Sequence, residues 1–309
     1  MTAKREHKVS RKTARRDFGT IGAFLIIYVL MVMVIPYFLH AFLRLNSPEI
    51  VNDQLFFFGL YFIIILLGTI LPFFAMRKAM KVPLKKFNRS TSISFIEIFV
   101  QTIVFFTTCL ILTYLSNIIF SYVGLGDKLI SGIGFGYDEA YLNNWLYVFM
   151  LVLVTPIIEE YAFRGVLMNC MAKYGKLFGL IGSSILFALA HMQFAEMIPA
   201  FAMGYLLGGT TLRYRSIRPT IIIHILFNAF IYGLCVLPVS IAQYIAYGLV
   251  AVFLLTIFLI VTGRYQGVRI QTLRNSKITN RLFYTSPTVI LAMLLMLLST
   301  SLMSFVVLY

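Results

Sequence analysis

The chain has 309 residues, of which 60% are hydrophobic and only 12% charged, and its mean hydropathy is +0.90. Soluble domains carry about 25% charged residues, so a soluble enzyme or binding module is excluded and lipid is the expected solvent. Lys and Arg outnumber Asp and Glu by 26 to 11, a net charge of +15. Such an excess suits either a phosphate-bearing partner or the basic loops of a membrane protein, and its distribution decides between them.

A basic tail, 1–18, comes first, with Lys4, Arg5, Lys8, Arg11, Lys12, Arg15 and Arg16. Nine apolar segments follow at 19–43, 54–76, 95–123, 143–172, 176–192, 195–212, 218–238, 240–262 and 287–308. About 20 residues span a bilayer as a helix, so the fold class is all-α: a polytopic integral membrane bundle of about eight or nine transmembrane helices. The fifth and sixth segments are short for spans.

Seven Lys and Arg precede the first segment, six lie in 77–94, two in 173–176, three in 213–218 and five in 264–286, together 23 of 26. Arg44 and Lys128 alone fall in the opposite loops, which places the N-terminus in the cytoplasm and the C-terminus outside. Topology thus accounts for the charge, and no nucleic-acid partner is expected; the tail suits anionic headgroups. Arg15-Arg16-Asp17-Phe18 resembles a twin-arginine signal, but no small-residue cleavage site follows, so the first segment is read as a retained span. Cys109, Cys170 and Cys235 lie in different apolar segments without C-x-x-C spacing and are read as packing thiols. No linker or internal repeat divides the chain, so residues 19–309 are expected to form one membrane domain.

The fourth segment contains Thr155-Pro156-Ile157-Ile158-Glu159-Glu160-Tyr161-Ala162-Phe163-Arg164-Gly165. Three ionisable groups at this depth carry a gross insertion cost of roughly 8–10 kcal/mol, more than an anchoring helix has reason to bear. Glu160 and Arg164 are four apart and share a helix face, so an ion pair is expected. Glu159 projects about 100° away and is free to face a cavity as a general base. Pro156 lacks an N–H and is expected to kink the helix near this point.

The fifth segment ends in Phe187-Ala188-Leu189-Ala190-His191, and the seventh contains His224-Ile225-Leu226-Phe227-Asn228. His224 and Asn228 share one face, a spacing suited to polarising a carbonyl. Measured from the segment ends, Glu159 and His224 reach a common depth, whereas His191 lies too far across unless its helix starts late, near Gly179. Gly204-x-x-x-Gly208 in the sixth segment is read as a packing face.

The ordered set E-E-x-x-x-R at Glu159, Glu160 and Arg164, F-x-x-x-H at Phe187 and His191, and H-x-x-x-N at His224 and Asn228 resembles the CPBP intramembrane proteases. That group includes the type II CAAX prenyl endopeptidases and the Abi bacteriocin-processing or immunity proteins. The resemblance covers roughly 143–232 and implies hydrolysis of a peptide bond in a membrane-embedded or lipid-associated substrate, in a bacterial cell membrane. It implies that Glu159 with His191 activates water, that His224 with Asn228 binds the oxyanion, and that Glu160, Arg164 and Phe187 support them. The family is often labelled metal-dependent, which would make Glu159, His191 and His224 zinc ligands. The glutamate–water scheme explains Asn228 equally well without a metal, so no cofactor is firmly implied and zinc stays the alternative. A non-proteolytic scaffold regulating a partner such as a sensor kinase ranks second. A proton-coupled transporter ranks third, because the polar cluster has no counterpart in the other half of the chain.

Overall fold

The computed structural model describes residues 10–83, 95–122, 144–262 and 277–308. Most of loops 77–94, 124–144 and 264–286, and the first nine residues of the basic tail, lie outside this range. Among the described residues the structure is helical, with no strand. Ten helices carry the fold: α1 (Arg11–Asn46), α2 (Gln54–Ala79), α3 (Phe95–Tyr122), α4 (Trp145–Ala172) and α5 (Lys176–Leu189), then α6 (Phe194–Tyr214), α7 (Arg218–Val236), α8 (Val239–Val261), α9 (Lys277–Tyr284) and α10 (Pro287–Leu308). All nine predicted apolar segments are helical. Five of them, in α1, α2, α3, α4 and α7, are long and apolar enough to cross a bilayer. Large apolar side chains such as Phe38, Leu71, Phe99 and Leu254 are exposed, as lipid-facing surfaces require.

Helix α1 begins eight residues earlier than expected, inside the predicted tail. The Ser10 hydroxyl accepts the Thr13 N–H at 3.1 Å and caps it. Buried Phe18 packs against Tyr174, Phe178 and Phe283, and the Tyr174 hydroxyl donates to Asp17 at 2.8 Å. Apolar burial and that hydrogen bond extend the helix into a stretch whose charge alone suggested a solvated tail.

Helix α5 does not start late. It runs from Lys176, with Gly175 before it at φ 148°, and ends at Leu189 after 14 residues, about 21 Å. His191 therefore lies beyond the helix, in the turn into α6, where Met192 takes a left-handed conformation at φ 56°. Counted from the shared turn Lys173–Gly175, Glu159 lies back along α4 and His191 forward along α5, each by about 20 Å.

Helices α5 and α6 form a close antiparallel pair. A Cβ on Gly204 would stand 2.9 Å from the Ser184 Cα, so the glycine is required for backbone approach and the packing role of this face is confirmed.

Candidate active site

Helix α4 is not a uniform α-helix. It widens into π turns at Met150–Val154 and Glu160–Leu167, so its side chains are re-aimed where the ionisable residues sit. The first π turn meets Pro156: the Thr155 N–H reaches back to the Met150 carbonyl, and the next residue has no N–H to give. The expected kink is thus realised as a change of helix register. At the end of the second π turn the Asn169 side chain donates to the Arg164 and Gly165 carbonyls, both at 2.9 Å.

Glu160 and Arg164 form the predicted ion pair, Oε1 to Nη1 at 3.0 Å, with side chains 0% and 1% exposed. The pair is electrostatic rather than an aligned hydrogen bond, since both Arg164 Nη atoms lack a hydrogen-bond acceptor. The guanidinium instead lies 4.0 Å above the Phe187 ring, a desolvated cation–π contact worth about 2 kcal/mol. The same ring touches His191, with centroids 4.6 Å apart, and stands edge-on to His224 at 6.4 Å. Phe187 is therefore the platform on which one cation and two imidazoles are arranged.

The two glutamates face different surroundings. Glu159 is 26% exposed and looks into a cavity of about 250 Å³, whereas Glu160 is sealed behind it. His224 stands between them, with Nδ1 donating to Glu160 Oε1 at 3.1 Å and Nε2 lying 3.8 Å from Glu159 Oε2. His191 places Nδ1 at 2.8 Å from the Phe187 carbonyl. A carbonyl only accepts, so Nδ1 carries the proton and the Nε2 lone pair is left for the cavity. Asn228 donates from Nδ2 to the Leu151 carbonyl at 2.8 Å.

Glu159, His191, His224 and Asn228, read from three separate segments, all line this one cavity. Sequence reasoning missed the rest of the wall. Cys109 and Thr113 reach it from α3, Leu151 and Thr155 from α4, and Met203 from α6. Cys109, read as a packing thiol, is buried and lines the cavity as well. No motif marked these positions, because neighbouring helices bring them together only in the fold.

Among the described residues no three His, Cys, Asp or Glu side chains are grouped so as to hold a metal ion. The hydrogen bond from His224 Nδ1 to Glu160 leaves Nε2 for the cavity, an arrangement that suits a water-activating and a metal-ligating imidazole equally.

Residues 141–230 match the family model described as type II CAAX prenyl endopeptidase Rce1-like. The chain is also similar to the membrane-embedded CAAX protease MroQ of Staphylococcus aureus (strain USA300), 30% identical over 99 residues. That alignment covers 28% of this chain and 38% of the relative, so the chain matches well under half of its length. No solved structure matches. The matched stretch 141–230 contains Glu159, Glu160, Arg164, Phe187, His191, His224 and Asn228, so the similarity to the type II CAAX prenyl endopeptidase, Rce1-like model falls on the residues that carry the motif resemblance.

Proposed function

We propose that this protein is an intramembrane endopeptidase that hydrolyses a peptide bond in a membrane-embedded or lipid-associated substrate with a water activated by Glu159. The observation that carries this reading is the pairing of one cavity-facing carboxylate with two histidines from other elements, while the neighbouring carboxylate is neutralised behind it. A transporter needs no such division between adjacent acids, and a scaffold needs no cavity at them.

Glu159 and the His191 Nε2 lone pair both accept hydrogen bonds, so together they hold a water by its two protons. Glu159 takes one proton as the oxygen attacks the peptide carbonyl. The developing oxyanion is bound from the α7 side by the second N–H of Asn228, while His224 Nε2, one turn away, bears no proton at this stage. His224 Nε2 lies 3.8 Å from Glu159, near enough for the captured proton to pass through a small approach or a bridging water. Once protonated, His224 Nε2 donates to the oxyanion and then gives the proton to the leaving amine as the carbonyl re-forms and the C–N bond breaks. Glu160 keeps His224 in this tautomer, and Arg164 with Phe187 keeps Glu160 in place. Every step uses groups of the chain and none is routed through a metal.

With the distribution of basic residues and the family resemblance as support, we propose a bacterial cell membrane with the N-terminus on its cytoplasmic side. The reading is tested by mass spectrometry of membrane peptides from cells carrying the wild type or Glu159→Gln. Peptides present only with the wild type are the expected result. Identical peptidomes, with both proteins folded and equally abundant, would show that Glu159 does no proteolysis.

A further inference from the structure

The first π turn of α4 and Asn228 are chemically linked. In the register that Thr155 keeps, its N–H on the Met150 carbonyl, the next donor would be residue 156 and its acceptor the Leu151 carbonyl. Residue 156 is proline and has no N–H. The Leu151 carbonyl accepts instead from Asn228 Nδ2 at 2.8 Å, and both residues line the cavity. An amide side chain has two N–H donors on one nitrogen, so committing one of them fixes which way the amide faces and where the second points. Proline alone does not produce this arrangement. Pro72 in α2 and Pro199 in α6 sit inside helices with no π turn before them. Pro36 in α1 does follow one, at Leu30–Val34.

We propose that Pro156 is a positioning residue for the reaction: by withholding an N–H from the Leu151 carbonyl, it keeps that acceptor open for Asn228 and so holds the Asn228 amide with its second N–H toward the cavity. This rests on the protease reading for its consequence in rate, but not for its geometry. It also revises the part played by Asn228, which is both a donor to the reacting carbonyl and a cap on α4.

The test is a double-mutant cycle between Pro156→Ala and Asn228→Ala in the full chain, purified in lipid nanodiscs. Alanine at 156 supplies the missing N–H to Leu151 and leaves the Asn228 amide free to turn. Thermal stability is the first readout and needs no substrate. Asn228→Ala strands the Leu151 carbonyl and lowers Tm, and adding Pro156→Ala restores it. Cleavage of a fluorogenic peptide, built on a site found in the peptidome comparison, is the second. Pro156→Ala alone lowers kcat at least about 10-fold with KM little changed, because a misaimed donor acts in the transition state. In the Asn228→Ala background it lowers kcat no further, since no amide remains to be aimed.

Two results would overturn the proposal: a Tm in the double variant no higher than in Asn228→Ala, or effects of the two substitutions on kcat that multiply. A wild type that cleaves nothing would sink the protease reading instead, with the Tm cycle still deciding the link between Pro156, Leu151 and Asn228.

Discussion

Replacing Glu160 by glutamine isolates the role of the sealed carboxylate. Glutamine keeps the shape and an oxygen to accept from His224 Nδ1, so the change is almost purely one of charge. What it leaves behind is Arg164, 1% exposed, with its partner 3.0 Å away neutralised and no acceptor on either Nη. Stranding one member of a buried ion pair costs about 3–5 kcal/mol. The contact with Phe187 survives the change and does not offset it, because it is present before and after. The full range is therefore expected, a large fraction of the 5–15 kcal/mol that folded domains typically hold. Folded yield after detergent extraction should fall sharply, and the purified remainder should melt earlier. Glu160→Gln with Arg164→Met removes the stranded charge and should recover most of the loss, since the cost lies in the unpaired buried cation. A single variant as stable as wild type, or a double variant no better than the single, would refute the assignment of this pair.

Glu159→Gln should behave in the opposite way, because the side chain is partly exposed in the cavity: cleavage falls about 100-fold or more while yield and Tm stay at wild-type values. Prolonged chelation should leave the purified protein cleaving at its original rate; activity lost on chelation and regained with zinc would overturn the Glu159–water scheme. Gly204→Val would force side-chain atoms into Ser184 and should destabilise the α5–α6 pair by about 1–3 kcal/mol, read as a lower Tm. Burial and the hydrogen bond to Asp17 push the Tyr174 phenol pKa above its ordinary value. The folded chain then holds a proton that the unfolded chain releases, so this contribution is present below about pH 10 and is lost as pH rises beyond it. Tyr174→Phe should flatten the decline in Tm on that alkaline side.

Much of this was legible because the membrane simplifies the code. All nine apolar segments appear as helices, since a backbone in lipid must satisfy its own hydrogen bonds and an apolar run has no other means. The Glu160–Arg164 pair followed from i,i+4 spacing, and the shared face of His224 and Asn228 from the same rule. What stayed hidden depends on partners elsewhere in the chain. The helical start at Arg11 needs Tyr174 and Phe283. The turn at His191 falls in Ala190-His191-Met192-Gln193, which contains neither glycine nor proline to announce it. The π turns of α4 have no propensity signal, and Pro156 suggested a kink without specifying its register. Phe187 could be read as a motif position, but not as the surface under Arg164.

The turn at His191 also explains the orientation of that imidazole. A helix that stops inside the protein leaves its last carbonyls short of partners, and in a membrane no bulk water replaces them. Helix α5 stops at Leu189, and the Phe187 carbonyl takes the Ala190 N–H at 3.2 Å and His191 Nδ1 at 2.8 Å. Satisfying the end of the helix thereby fixes the tautomer of His191, and with it the lone pair on Nε2. On α4, the Leu151 carbonyl left open by Pro156 is satisfied by Asn228, and that settles the amide in the same way. Two backbone acceptors that lipid would not tolerate unpaired each orient a polar side chain lining the cavity. The gross cost of placing charge here is met similarly, with Glu160 and Arg164 cancelling and Phe187 covering the guanidinium. Glu159 is the member of this charged triad left facing the cavity, which is why the chemistry is assigned to it and not to its neighbour.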